Sequence, residues 1–83
     1  MKLTLRYFAS IREALGSGET IELPVASTVG SVRDALIARG GRHAEVLARG
    51  RALRCALDQV LCDEPAIIEA DAELAFFPPV TGG

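Results

Sequence analysis

Apolar and polar positions alternate at both ends of the chain and recur at helical spacing in its middle. From Lys2 to Phe8, Leu3, Leu5 and Tyr7 point one way and Thr4, Arg6 and Phe8 the other, which predicts a strand with one buried face. Ser10-Ile11-Arg12-Glu13 fits a capping box opening a short helical turn, with Ser10 on the Glu13 N–H and Glu13 reaching back to Ser10. Gly16 and Gly18 end that turn, and Glu19 to Leu23 reads as a second strand closed by Pro24. Thr28 is the expected N-cap of the main helix, which runs to about Arg39 with Val29, Val32, Ala35 and Leu36 in one apolar stripe. Gly40-Gly41 stop it. Residues 42–52 carry the weakest pattern, with a helical turn expected over His43 to Ala48. Leu53 to Asp58 alternates again, Gln59 to Cys62 reads as a short strand, and Asp63-Glu64-Pro65 breaks it. Glu73 to Phe77 alternates once more, with Leu74 and Phe76 inward and Ala75 and Phe77 outward, and Pro78-Pro79 end it because neither can donate to a ladder.

A hairpin, one main helix laid across one face and returning strands predict an α+β fold of the β-grasp kind with a mixed sheet. At 83 residues the chain is expected to form a single domain over 1–83, with 78–83 as an extended, flexible C-terminal tail. Hydrophobic residues at 49% and charged residues at 24% fit a compact chain rather than a disordered one. The net charge of −2 lacks the basic stripe that nucleic acid demands, so no nucleic-acid partner is expected. Apolar runs are only a few residues long and the N-terminus alternates, so neither a membrane span nor a signal peptide is expected, and the reading is cytoplasmic.

Candidate chemistry is sparse. Cys55 and Cys62 with the single His43 cannot fill a four-ligand zinc site, so no metal is expected. The two thiols read as buried and free, with a reactive role as the alternative. His43 has no nucleophile or metal partner in the pattern and is expected at the surface. The chain ends Pro78-Pro79-Val80-Thr81-Gly82-Gly83. The prolines favour a stiff exit, and the residues after Pro79 reach up to about 17 Å at roughly 3.3–3.6 Å each. Two terminal glycines pass through a channel too narrow for side chains. The functional group at the end is the Gly83 α-carboxylate, ionised at neutral pH and a poor electrophile until activated. No phosphate-binding loop is present, so activation would fall to another protein, with this chain as carrier. The bland alternative is a frayed terminus.

A second feature points to docking. Phe8, Leu61 and Phe77 fall on the sheet face opposite Leu3, Leu5, Leu74 and Phe76, which the helix cannot also cover. Left open, they form an apolar patch of the kind that marks protein interfaces. Residues 42–52 folding over them is the alternative.

Two segments resemble a known family. Glu73-Leu74-Ala75-Phe76-Phe77-Pro78-Pro79-Val80-Thr81-Gly82-Gly83 closely resembles the C-terminus of the molybdopterin synthase sulfur-carrier (small) subunit family, and Leu5-Arg6-Tyr7-Phe8-Ala9-Ser10-Ile11-Arg12-Glu13-Ala14-Leu15-Gly16 resembles its first strand and turn. The likeness is good over 3–16 and 55–83 and loose over 17–54. It implies a ubiquitin-like β-grasp. It also implies an adenylyltransferase, similar to ubiquitin-activating enzymes, that spends ATP to adenylate Gly83, after which sulfur replaces AMP to leave a thiocarboxylate. Residues 78–82 (Pro78, Pro79, Val80, Thr81, Gly82) would then insert into a large catalytic subunit, where sulfur passes to cyclic pyranopterin monophosphate to make molybdopterin. By the same resemblance the chain is a non-catalytic subunit that binds no cofactor itself, works in a heterotetramer of two small and two large subunits, and docks through Phe8, Leu61 and Phe77.

Two positions depart from the family pattern. Asp58 stands where Asn is frequent, and Ala70-Asp71-Ala72 replaces an Asp-Gly-Asp turn, which is expected to press Asp71 toward the left-handed region. Alternatives with the same tail are a carrier for thiamine or cysteine synthesis, a ubiquitin-like protein modifier, and a plain interaction module.

Overall fold

A computed structural model describes residues 1–79. In it β1 (Lys2–Tyr7) alternates as expected, with Leu3, Leu5 and Tyr7 buried and Lys2, Thr4 and Arg6 exposed. β1 takes an antiparallel partner in β2 (Gly18–Glu22) and a parallel one in β7 (Ala72–Phe77). β4 (Arg54–Leu57) runs antiparallel to β7, and β5 (Val60–Cys62) closes the edge, giving the order β2-β1-β7-β4-β5. The sheet is therefore mixed, and the fold is the ubiquitin-like β-grasp. Gly18 is dictated by packing, because a Cβ there would drive into the Leu5 carbonyl of the neighbouring strand. A second sheet, β3 (Ser27–Thr28) with β6 (Ile67–Ile68), was not expected; two-residue strands are too short for alternation to register.

Helices α1 (Ala9–Leu15), α2 (Val29–Ile37) and α3 (Gly41–Val46) accompany the sheet. Ile11, Val29, Val32 and Leu36 join Leu3, Leu5, Tyr7, Leu74 and Phe76 in one core. Burial of such side chains is the main stabilising term, about 1.5–3 kcal/mol each. Thr28 caps α2 as expected, and the capping box lies here: Thr28 Oγ1 accepts the Ser31 N–H and Ser31 Oγ accepts the Thr28 N–H, both at 3.1 Å. The capping box expected at Ser10–Glu13 does not form. The Phe8 N–H still donates to the Phe76 carbonyl, and Ala9 at φ 52 turns the chain straight into the helix. Phe8 is thus the N-cap, without a side-chain bond, and Ser10 already lies inside α1.

Residues 42–52 do not cover the outer face of the sheet. Leu47 sits in the core with the inner-face residues, and α3 contacts α1 and α2. The segment is fastened by Arg33, which is 4% exposed. Its Nε donates to the Leu47 carbonyl at 2.7 Å, and Nη2 donates to the carbonyls of Ala48 at 2.6 Å and Arg51 at 3.0 Å. Nη1 pairs with Glu64 at 2.8 Å, and Arg49 bonds Glu64 and Asp34 beside it. A guanidinium fork satisfies several carbonyls at once where an ammonium would not.

Asp71 does not enter the left-handed region; its Oδ1 accepts the Lys2 N–H at 2.7 Å. The left-handed pair is Asp58 (φ 47) and Gln59 (φ 69), the centre of the two-residue β4–β5 turn. Such hairpins take this handedness because it matches strand twist. Asp58 steadies the turn: its Oδ1 accepts the Glu73 N–H at 2.9 Å and its own N–H donates to the Glu73 carbonyl at 2.8 Å.

Candidate functional site: the open sheet face and the end of β7

The strand registers place one row of side chains across the uncovered face. Arg6, Ala75, Ala56 and Leu61 are successive partners on β1, β7, β4 and β5. Two residues on from Arg6 and Ala75, the same alternation puts Phe8, extended just past the end of β1, and Phe77 on that face. Phe8 is 41% exposed and Leu61 62%, whereas Phe77 is half-buried. Ala75 points outward as expected but is nearly buried, since an Ala on a central strand is shielded by its neighbours. Ala56 and Ala75 make a low floor between Leu61 and the two phenylalanines. Ala75 was expected on this face but neither alanine was counted in the patch, because the pattern marks large residues and passes over small ones.

Charges edge the patch. The Arg6 guanidinium lies 5.8 Å from the Phe8 ring centroid and 3.4 Å from Glu73 Oε1, and Arg54 stands opposite Phe77. Such solvent-facing pairs add little stability and more specificity. Phe77 is the last residue of β7, so the chain leaves the sheet from a central strand, at the border of the patch. Pro78 and Pro79 follow outside any strand, half-buried. Val80, Thr81, Gly82 and Gly83 lie outside the described residues.

The other candidates resolve differently. His43 is not a free surface residue: its Nε2 lies 2.9 Å from Glu19 Oε2. Glu19 also accepts from the Tyr7 hydroxyl at 2.8 Å and from Arg39 at 2.6 Å. Burial pushes the Glu19 carboxyl up, but the hydrogen bonds from Arg39, His43 and Tyr7 prevail and hold it at about 2, against an ordinary 4.5. Burial, reinforced by Glu19, raises the Tyr7 phenol well above its usual range. This hub ties β1 and β2 to α3 and to the chain after α2, and no signal in the pattern announces it. Cys55 and Cys62 are both free, but only Cys55 is buried; Cys62 is half-buried against it. Among the described residues no three His, Cys, Asp or Glu side chains converge on a metal position. No helix among them is long and apolar enough to cross a membrane.

The β-grasp sheet thus leaves one apolar face uncovered, and the chain leaves its central strand at the border of that face. Residues 5–83 match the ThiS family, and the chain belongs to that family. It is 37% identical over 82 residues to the molybdopterin synthase sulfur carrier subunit of Haemophilus influenzae, covering 98% of this chain and 99% of that one. It is 34% identical over 77 residues to the Escherichia coli protein of the same name, covering 93% and 94%. Among solved structures, SAMP1 from Haloferax volcanii superposes with a TM-score of 0.77 at 25% identity, each chain covered in full. A chain from the complex of subunits 1 and 2 of the molybdopterin-converting factor from Helicobacter pylori shares the fold, with a TM-score of 0.68 at 24% identity and both chains covered in full. A ubiquitin from Caldiarchaeum subterraneum shares it too, with a TM-score of 0.62 at 16% identity over 100% and 98% of the two chains.

Proposed function

We propose that this chain carries sulfur for molybdopterin synthesis as a small, non-catalytic subunit. The observation that carries the reading is the near full-length match, at 37% and 34% identity, to two molybdopterin synthase sulfur carrier subunits. The geometry adds a reason. The patch of Phe8, Leu61 and Phe77 offers a docking face, and the chain leaves β7 beside it toward Gly83.

In this reading an adenylyltransferase uses ATP to convert the Gly83 carboxylate to an acyl-adenylate with release of pyrophosphate, and a sulfide-level sulfur nucleophile displaces AMP to leave a thiocarboxylate. A carboxylate needs this step because its charge repels nucleophiles and its oxygen leaves poorly. The large catalytic subunit binds the patch and receives residues 78–83 as an extended tail. There the thiocarboxylate sulfur, ionised and polarisable, attacks cyclic pyranopterin monophosphate, and water then cleaves the Gly83 carbonyl–sulfur bond, leaving the sulfur on the pterin and restoring the Gly83 carboxylate. Tethering raises its effective concentration and avoids releasing sulfide. The assembly is two small and two large subunits in the cytoplasm.

Removing Gly83, or adding one residue after it, tests this. Molybdopterin formation with the activating enzyme and large subunit is expected to be lost while circular dichroism and unfolding stay unchanged. Full product formation by either variant contradicts the reading.

A further inference from the structure

Two thiols that the tail does not use face each other across β4 and β5. Cys55 and Cys62 are direct partners in the antiparallel register, and Cys62 Sγ lies 3.7 Å from Cys55 Sγ. Opposed residues in such a pair have Cα atoms about 4.5–5.5 Å apart, inside the roughly 4.4–6.8 Å that disulfides span. The backbone is therefore already placed for a bond, and side-chain rotation brings the sulfurs together. Both residues line a cavity of about 170 Å³, with Arg33, Leu53 and Phe76 among its walls. The pair is asymmetric: Cys55 is 7% exposed and donates to the Cys62 carbonyl at 3.2 Å, whereas Cys62 is half-buried.

We propose that Cys55 and Cys62 form a reversible cross-strand disulfide, made by exchange with a small disulfide of the glutathione class. The asymmetry sets the order. The Cys62 thiolate attacks one sulfur of glutathione disulfide, forming a mixed disulfide and releasing one glutathione thiolate. Burial, then contact with Cys62, pushes the Cys55 thiol up to about 12, so Cys55 stays protonated until this point. Its sulfur then displaces the second glutathione from Cys62, and its proton leaves with that glutathione. Two thiols are oxidised and one glutathione disulfide is reduced to two glutathiones. The product staples edge strand β5, which carries Leu61, to β4.

The test equilibrates the full chain with graded mixtures of reduced and oxidised glutathione, quenches with acid, labels with maleimide and measures intact mass. The expected product is a monomer lighter by two hydrogens that takes up no maleimide and reverts in reduced glutathione. Cys55→Ser is expected to stop at a glutathione adduct on Cys62. Maleimide labelling of both thiols in the most oxidising mixture overturns the proposal. So does a glutathione adduct that persists in the unaltered chain, or a disulfide-linked dimer. None of these readouts involves Gly83, so the outcome is independent of the sulfur-carrier reading.

Discussion

The two faces of the central sheet arise from the same alternation and end in opposite states. On the inner face Leu3, Leu5, Tyr7, Leu74 and Phe76 are sealed under helices and Leu47. On the outer face Phe8 and Leu61 stand open, with Phe77 half-covered at the end of β7. Phe76 and Phe77 are neighbours in sequence and lie on opposite faces, one sealed in the core and one on the open side. The difference teaches that period tells which residues share a face, while the supply of covering elements decides which face becomes core.

The largest expected effect separates these neighbours. Phe76→Ala removes a fully buried ring and is expected to cost about 3–5 kcal/mol in denaturant unfolding. Phe8→Ala on the open face is expected to cost far less. Equal losses for the two would break the comparison.

Next comes the partner. Phe77→Ala is expected to weaken binding to a large subunit by more than about 1 kcal/mol, as loss of an aromatic anchor does. Calorimetry showing unchanged affinity removes Phe77 from the interface.

A smaller effect concerns the hub that fastens the inner face. Glu19 titrates at about 2 in the fold against 4.5 ordinarily. A depressed carboxyl contributes stability above its unfolded value and loses it as pH falls through the folded one. Unfolding free energy is thus expected to decline between about pH 4.5 and 2. In Glu19→Gln part of that decline is expected to vanish; an identical pH profile removes Glu19 as a contributor.

The smallest effect sits at the turn that presents Leu61. Gln59 holds φ 69, a region that favours glycine, so Gln59→Gly is expected to raise the midpoint of thermal unfolding slightly. Destabilisation would mean that the Gln59 side chain makes a contact worth more than the strain.

The sheet was legible because β1, β4 and β7 are long enough for alternation to declare a face, and α2 because Thr28, Val29, Val32, Leu36 and Gly40 agree; Ala35 of the expected stripe is exposed, and Arg33 is buried on that helix instead. The outer patch was legible for the same reason. Several features were not. Two-residue strands carry no period, as β3 and β6 show. The cap at Ser10 looked right locally but lost to the extra β1–β7 bond at Phe8. Arg33 and Glu19 gather partners distant in sequence, and only tertiary structure brings those groups together.

Whether Gly83 carries sulfur is read most directly from the intact mass of the chain purified from its own cell, before and after incubation with the activating enzyme, ATP and a sulfur donor. The account predicts a fraction with one terminal oxygen replaced by sulfur, discharged when the large subunit and its pterin substrate are added. A chain that remains wholly unaltered, or appears instead as higher-mass conjugates to lysine, contradicts it.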